Sequence, residues 1–214
     1  MKNKKNIRKR FVSIGLVIVL ALVCNITEYT IAFAAPTAKV SYKIEKKQQI
    51  RRCKKLTAQY LYELPQIKGN SPTIRKINKL LVADYKASLQ YRNSLFQCYK
   101  ALKKSSYKKI YYISKCSVTY NQNGYISFRF ASEWYAGGVG ESREYGLTYR
   151  LKDGKKLAVQ DVASGKKSNV KKNIATAYSK KLSGQGYSYV MKMKYSDFQF
   201  YIKPGKKVVI CFGP

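Results

Sequence analysis

Apolar and polar positions alternate along much of this chain. Ala58, Tyr60, Tyr62 and Leu64 recur with period two, the spacing of a strand with one buried face, and Pro65 and Gly69 close the run. The pattern then lengthens. Ile74, Ile77, Leu81 and Tyr85 fall on one helical face, with Asn70 or Ser71 as cap and Pro72 in the first turn. Leu95, Phe96, Tyr99 and Leu102 continue that spacing, so the helix is expected to run to about Lys103.

Alternation resumes in Ile110, Tyr112, Ser114, Cys116, Val118 and Tyr120, then in Ile126, Phe128, Phe130, Ser132 and Trp134. Between them lies Asn123-Gly124, a pair suited to the positive φ of a tight turn, so the two segments predict a hairpin. Tyr145, Leu147, Tyr149 and Leu151 alternate again, and Lys152-Asp153-Gly154-Lys155 turns the chain toward Leu157 and Val159. Val170, Ile174, Ala177, Tyr178 and Leu182 make a second helical stripe that Gly184 ends. Phe198, Phe200 and Ile202, Pro204-Gly205 and a final VVICF complete a last hairpin. Residues 36–55 show only a short apolar stretch, Val40 to Ile44, and a basic run. The pattern predicts an α+β domain: an antiparallel sheet built from hairpins, with two helices packed on one face.

An N-terminal segment lies in front of this domain. MKNKKNIRKR is basic, residues 11–26 are almost wholly apolar, and Ala32-Phe33-Ala34-Ala35 offers a small-residue cleavage site. That order reads as a secretory signal peptide cut after Ala34 or Ala35. The same apolar stretch is long enough to serve as an uncleaved membrane anchor. Either way residues 36–214 form one extracytoplasmic domain, with sub-parts 36–105 and 106–214, secreted or held at the membrane. The chain stops at Phe212-Gly213-Pro214 directly after a strand, which reads as C-terminal truncation or an unusually short domain.

Charge narrows the partners. The 214 residues carry 43 Lys and Arg against 10 Asp and Glu. Residues 36–214 keep 37 of the former and nine of the latter, a net charge of +28. An anionic surface or polymer is the expected electrostatic partner. Arg51, Arg52, Lys54, Lys55, Lys108 and Lys109 are the candidate polyanion-binding residues, in basic clusters with tyrosines interleaved, as in KKSSYKKIYY. A lysine-rich solvated face would carry the same signature.

The chain has no histidine. That removes Ser-His-Asp and Cys-His catalysis, histidine-ligated zinc and the usual neutral-pH base. No cofactor, nucleotide or metal site is expected, and nucleic acid is not an expected partner in this compartment. Cys53, Cys98, Cys116 and Cys211 are the disulfide candidates, equally readable as buried free thiols.

One loop concentrates chemistry. SEWYAGGVGESREYG, residues 132–146, holds the chain's single tryptophan, three glycines before Gly146 and three of its ten acids. Trp134, Tyr135, Gly137, Gly138, Glu141 and Glu144 are the candidate ligand-binding residues. Glu133, Glu141 and Glu144 could supply the paired carboxylates of glycoside cleavage, but no second motif converges on them. The glycines lack the Lys-Ser/Thr of a phosphate-binding loop. Trp134 is expected on the face of Phe128 and Phe130, with Glu133 opposite. The domain is expected to be non-catalytic.

Several segments together resemble one family. LYELPQIKG (61–69) with IRKINKLL (74–81), then YAGGVGES (135–142), LKDGKKLAVQDV (151–162) and FQFYIKPGKKVVICFGP (198–214) are similar to the RsiV/PdaC type of extracytoplasmic domain. That domain forms the outer part of the lysozyme-binding anti-sigma factor RsiV and the non-catalytic part of the peptidoglycan deacetylase PdaC. It also occurs alone as a domain of unknown function. The family usually reads Tyr-x-Gly-Gly-Ala-His, whereas Val139 and Gly140 stand in the last two places here. Its final segment usually continues past Pro214. Neither the hydrolytic nor the anti-sigma activity is expected to carry over: residues 36–214 lack the histidines of a deacetylase metal site, and only ten residues precede the apolar stretch. The resemblance implies a binding or sensing module at the bacterial cell envelope, whose partner is a lysozyme-like protein or a cell-wall component. The other reading is a wall-active accessory enzyme, or a binder of teichoic-acid-like polyanions.

Overall fold

The computed structural model describes residues 39–212, together with the backbone of residues 20–22. The cleavage site at Ala34-Ala35 and the basic N-terminus lie outside the described residues, as do Gly213 and Pro214. None of the described helices is long and apolar enough to cross a membrane.

Among the described residues, nine strands and three helices follow one another as β1 (Leu20–Leu22), β2 (Tyr42–Cys53), β3 (Leu56–Ile67), α1 (Pro72–Ala101), β4 (Lys109–Gln122), β5 (Tyr125–Ala136), β6 (Val139–Arg150), β7 (Lys155–Lys156), α2 (Lys167–Lys181), α3 (Tyr187–Lys192), β8 (Gln199–Lys203) and β9 (Lys207–Cys211). Six strands form one sheet in the order β2-β3-β4-β5-β6-β7, and β1-β9-β8 form a smaller one. This is the α+β arrangement that the hairpins predict. One pair departs from the hairpin scheme: β3 and β4 run parallel, because the 30-residue α1 is the crossover between them. The helices are also shared out rather than stacked on one face. Helix α1 covers one face of the large sheet, while α2 and α3 build a second core with the small sheet.

The first core is rich in tyrosine. Tyr60, Tyr62 and Tyr112 of β3 and β4 meet Ile77, Leu81, Leu95 and Phe96 of α1. Tyr60 and Tyr112 stack at 5.6 Å, and Tyr91 of α1 stacks on Tyr112 at 4.8 Å with an interplanar angle of 4°. Buried hydroxyls need partners, and α1 supplies them. The Tyr60 hydroxyl lies 2.7 Å from Ser88 Oγ, and Tyr62 and Tyr145 both donate to Asp84 Oδ2, at 2.6 and 2.7 Å. Ser71 caps α1 by accepting from the Ile74 amide, and Asn78 ties the first helical turns to β3 through both backbone groups of Ile67.

Three elements differ from the periodicity. Residues 42–53, legible only as a basic run, are a full strand; as the sheet's edge, β2 is largely exposed and its lysines and arginines face water. Strand β3 continues through Pro65, which lies opposite Ile44; the Lys68 amide donates to the Ser41 carbonyl three residues on, and that phase puts Pro65 at a non-hydrogen-bonded position where its missing N–H costs no bond to β2. In β4 the register slips between Val118 and Tyr120, so Thr119 is an extra residue and the alternation inverts. Val118 stays opposite Phe128 on the α1 face, while Tyr120 pairs with Ser127 and enters the second core. The segment after the 151–154 turn gives only the two-residue β7, and Val159 lies in a 3₁₀ turn instead of a strand.

The second core is pinned to the sheet's other face. Strand β8 arrives edge-on: the Ile202 amide donates to Ser127 Oγ at 2.9 Å, and the Phe200 carbonyl lies over Gly146 of β6. A Cβ on Gly146 would sit 2.0 Å from that carbonyl oxygen. Gly146→Ala is therefore expected to lower stability by about 3 kcal/mol or more, since backbone on both sides leaves no side chain to yield. Chemical denaturation of the two proteins measures it; a loss below about 1 kcal/mol would contradict the close approach.

Candidate functional site

Strand β6 is hydrogen-bonded to β5 along its whole length, but β7 covers only Tyr149 and Arg150 on the far side, with Thr148 accepting from Leu157. Among the described residues nothing pairs with the rest of that edge. Between it and the middle of α1 lies a cleft of about 210 Å³. Asp84, Ser88 and Tyr91 line it from α1, Tyr112 from β4, Ser132 and Trp134 from β5, and Glu141, Arg143 and Tyr145 from β6.

Each strand contributes alternate residues, so the lining follows directly from the pleat. The floor is aromatic: Tyr91 on Tyr112, and Tyr145 stacked on Phe130 at 4.8 Å and 5°. Polar groups converge above it. Arg143 Nη1 donates to the Tyr91 hydroxyl at 3.3 Å, its guanidinium stands 5.5 Å from the Tyr145 ring, and its buried Nε has no partner among the described residues. Ser132 donates to Ser114 at 2.9 Å. Burial raises the Tyr112 hydroxyl's pKa above the usual tyrosine range, against hydrogen bonds from Ser132 and Ser114 that act the other way. Burial, reinforced by the Asp84 charge, raises that of Tyr145 much further. The cleft therefore offers neutral hydroxyls, two carboxylates, a guanidinium and flat apolar rings.

The loop residues singled out by sequence divide between the two faces. Trp134 and Glu141 line the cleft, with Trp134 on the face of Phe128 and Phe130 as the alternation requires. Tyr135 lies on the opposite face against Tyr111, at 5.8 Å. Gly137 and Gly138 make the β5–β6 turn at φ 64° and 86°, packed on Leu102 and Tyr107, so their part is conformational. Glu133 is exposed. Glu144 is buried on the far face, 2.6 Å from Arg129. Burial pushes its pKa up, but hydrogen bonds from Arg129 and Tyr201 and the Arg129 charge outweigh that and hold it below the usual range.

The three glutamates therefore do not face one another across a common space. Sequence reasoning missed Asp84, Tyr91 and Arg143. Asp84 did carry a signal, as the only acid in α1, placed on its apolar face between Leu81 and Ser88.

Among the basic candidates, Arg51 of β2 points to the α1 side, where its guanidinium lies 4.2 Å from the Phe96 ring, and Arg52 is exposed on the opposite face. Lys54 and Lys55 form the β2–β3 turn, and the Lys108 carbonyl accepts from Thr57, so Lys108 and Lys109 come to the same end of the sheet. The four disulfide candidates, Cys53, Cys98, Cys116 and Cys211, are free thiols among the described residues, Cys116 buried in the first core and Cys211 packed with Tyr201 and Val209. No group of three or more metal-ligating side chains occurs among the described residues.

No family profile and no curated protein matches the chain. Among solved structures it is similar to a DUF3298 family protein from Pseudomonas aeruginosa PAO1, at 11% identity and a TM-score of 0.43, over 73% of this chain and 76% of that one. It is also similar to a member of the DUF3298 family from Bacteroides fragilis NCTC 9343, at 12% identity and a TM-score of 0.48, over 81% and 90%. At these values nothing about function passes from either to this chain.

The tyrosine core makes a pH prediction. An unfolded tyrosine ionises near pH 10, whereas burial pushes Tyr60 up to about 12 and raises Tyr62 and Tyr145 well above the ordinary value. As pH rises through 10 the unfolded state loses protons first, so stability present at neutral pH declines, and the part due to Tyr60 is gone near pH 12. Urea midpoints are expected to fall between pH 9 and pH 11, less steeply in Tyr60→Phe. A midpoint unchanged across that interval would show that these hydroxyls ionise freely in the folded protein.

Proposed function

We propose that this chain is a non-catalytic extracytoplasmic binding domain of the bacterial cell envelope, and that the α1–β6 cleft receives a sugar-bearing fragment of the cell wall. The observation that carries this reading is the lining itself. Sugar rings present C–H faces that lie on aromatic planes, and hydroxyls that are held by planar carboxylate and guanidinium groups. Trp134 and Tyr91 supply the planes; Glu141, Asp84 and Arg143 supply the polar grips. The unpartnered Arg143 Nε is a donor that a ligand hydroxyl or carboxylate would satisfy. A volume of about 210 Å³ suits one ring rather than an extended drug-sized molecule. The N-terminal segment, basic and then apolar, supports a location at the envelope.

What the acids do supports a reading of binding without turnover. Hydrolysis of a glycoside needs one carboxyl to give a proton and another to face the anomeric carbon. Asp84 Oδ2 already accepts two tyrosine O–H groups and holds the core together, and Glu133 and Glu144 lie on the other side of the sheet.

Trp134 is the chain's single tryptophan and a built-in reporter. Its fluorescence is expected to change saturably with soluble N-acetylglucosamine–N-acetylmuramic acid fragments. Arg143→Ala and Glu141→Gln are each expected to weaken the effect about tenfold, near 1.4 kcal/mol. No change at millimolar fragment would remove the cleft as a sugar site. Clearing of a wall-embedded gel by the unsubstituted protein but not by Glu141→Gln would replace binding with hydrolysis.

A further inference from the structure

A second concave surface lies between the edge strand β2 and the C-terminal half of α1, and its chemistry differs from that of the cleft. It is a groove of about 330 Å³. Arg92, Phe96 and Lys100 stand at i, i+4 and i+8 along α1, so they form one stripe, and Asn93 and Gln97 form the next. Arg51 and Gln49 face them from β2. Three cations and three carboxamides line the groove, and no carboxylate does. The one acid of β2, Glu45, is engaged by Lys43 and Lys47, six positions along the strand from Arg51, about 20 Å away.

The groove is built rather than left over. Arg51 is laid over Phe96 at 4.2 Å, which fixes its guanidinium at the groove wall. Arg92 gives Nε and Nη2 to Asn93 Oδ1, at 3.1 and 2.9 Å, so its fork is held in one orientation with Nη1 left outside that pairing. Arg51 lies two residues before the end of β2, and at that end of the sheet Lys54, Lys55, Lys108 and Lys109 gather. A row of anions spaced along a chain would meet cations throughout.

We propose that this groove binds the phosphodiester backbone of a polyol-phosphate polymer. Guanidinium forks hold phosphate oxygens with directed hydrogen bonds, which a diffuse lysine surface does not. The carboxamides of Gln49, Asn93 and Gln97 both donate and accept, as polyol hydroxyls require. Nucleic acid is the other phosphodiester polymer, and the groove disfavours it. Base stacking needs a bare aromatic face, yet Phe96 is covered by Arg51, Tyr99 by Lys103, and Tyr111 by Lys109 and Tyr135. The site is separate from the sugar cleft, and its test does not depend on that cleft.

The test is a titration of the full chain, in nonionic detergent at about 0.15 M salt, with a glycerol-phosphate oligomer. Saturable binding is expected, with log K falling linearly against log salt. Arg51→Gln/Arg92→Gln is expected to weaken it about tenfold or more, and Lys100→Gln alone by about threefold. Lys172→Gln/Lys180→Gln on α2 removes the same charge and is expected to change affinity less than about twofold. Equal losses in the two double variants would reduce the effect to net charge and overturn the groove. An oligonucleotide of equal charge binding as tightly as the polyol phosphate would overturn the ligand class. Because Lys100→Gln leaves the Arg51–Phe96 contact in place, unchanged binding in that variant also counts against the proposal.

Discussion

A single carboxylate sets how the long helix lies on the sheet. Asp84 is on the apolar side of α1, where an unsatisfied charge would cost several kcal/mol. Tyr62 from β3 and Tyr145 from β6 both bring their hydroxyls to the same oxygen. These strands are three positions apart in the sheet, so the two bonds together determine the rotation and slide of α1 over all the strands between. Once that is set, Ser88 meets Tyr60, Tyr91 stacks on Tyr112, and the space left beside Arg143 is the cleft. The polar contact gives a unique arrangement to a core whose tyrosines would otherwise slide on one another.

Much of this was legible in the sequence, and the failures have physical causes. Period-two alternation located β3, β4, β5 and β6, because each has one face against a core and one against water or a second layer. Ser71-Pro72 marked the start of α1, and Asn123-Gly124 the β4–β5 turn, with φ of 53° and 78°. Strand β2 was hidden because both its faces are largely exposed, which leaves no alternation to read. Tyr120 was assigned to the wrong face because a bulge adds a residue without changing composition. At the site, Trp134 and Glu141 were found because they sit beside an unusual loop. Arg143 and Tyr91 were not, because they meet only when a helix and a distant strand come together.

The two concave surfaces divide the chain's charge differently. The cleft sets two acids, Asp84 and Glu141, against two cations, Arg143 and Lys156, over aromatic rings, so its field nearly cancels and short-range geometry decides what enters. The groove beside β2 is cationic only, and its field reaches about a Debye length, roughly 8 Å at physiological salt. Under the two readings proposed above, the groove would hold the protein loosely by charge while the cleft samples nearby sugars. The edge strand serves this arrangement in a second way, since lysines and arginines along β2 also discourage another chain from pairing with it.

The contact at Gly146 has a mechanical consequence. Where most layers in a protein are separated by side chains that can change rotamer, here two backbones touch, the Phe200 carbonyl over the Gly146 α-carbon. Nothing compressible lies between them. Gly146 is three residues along β6 from Arg143, and β8 is bonded to β9 throughout its length. A movement of β6 toward the small sheet therefore meets backbone at once, with no change of rotamer to absorb it. At this point the two cores are kept apart by backbone alone, while the Ile202 amide's bond to Ser127 Oγ resists their separation.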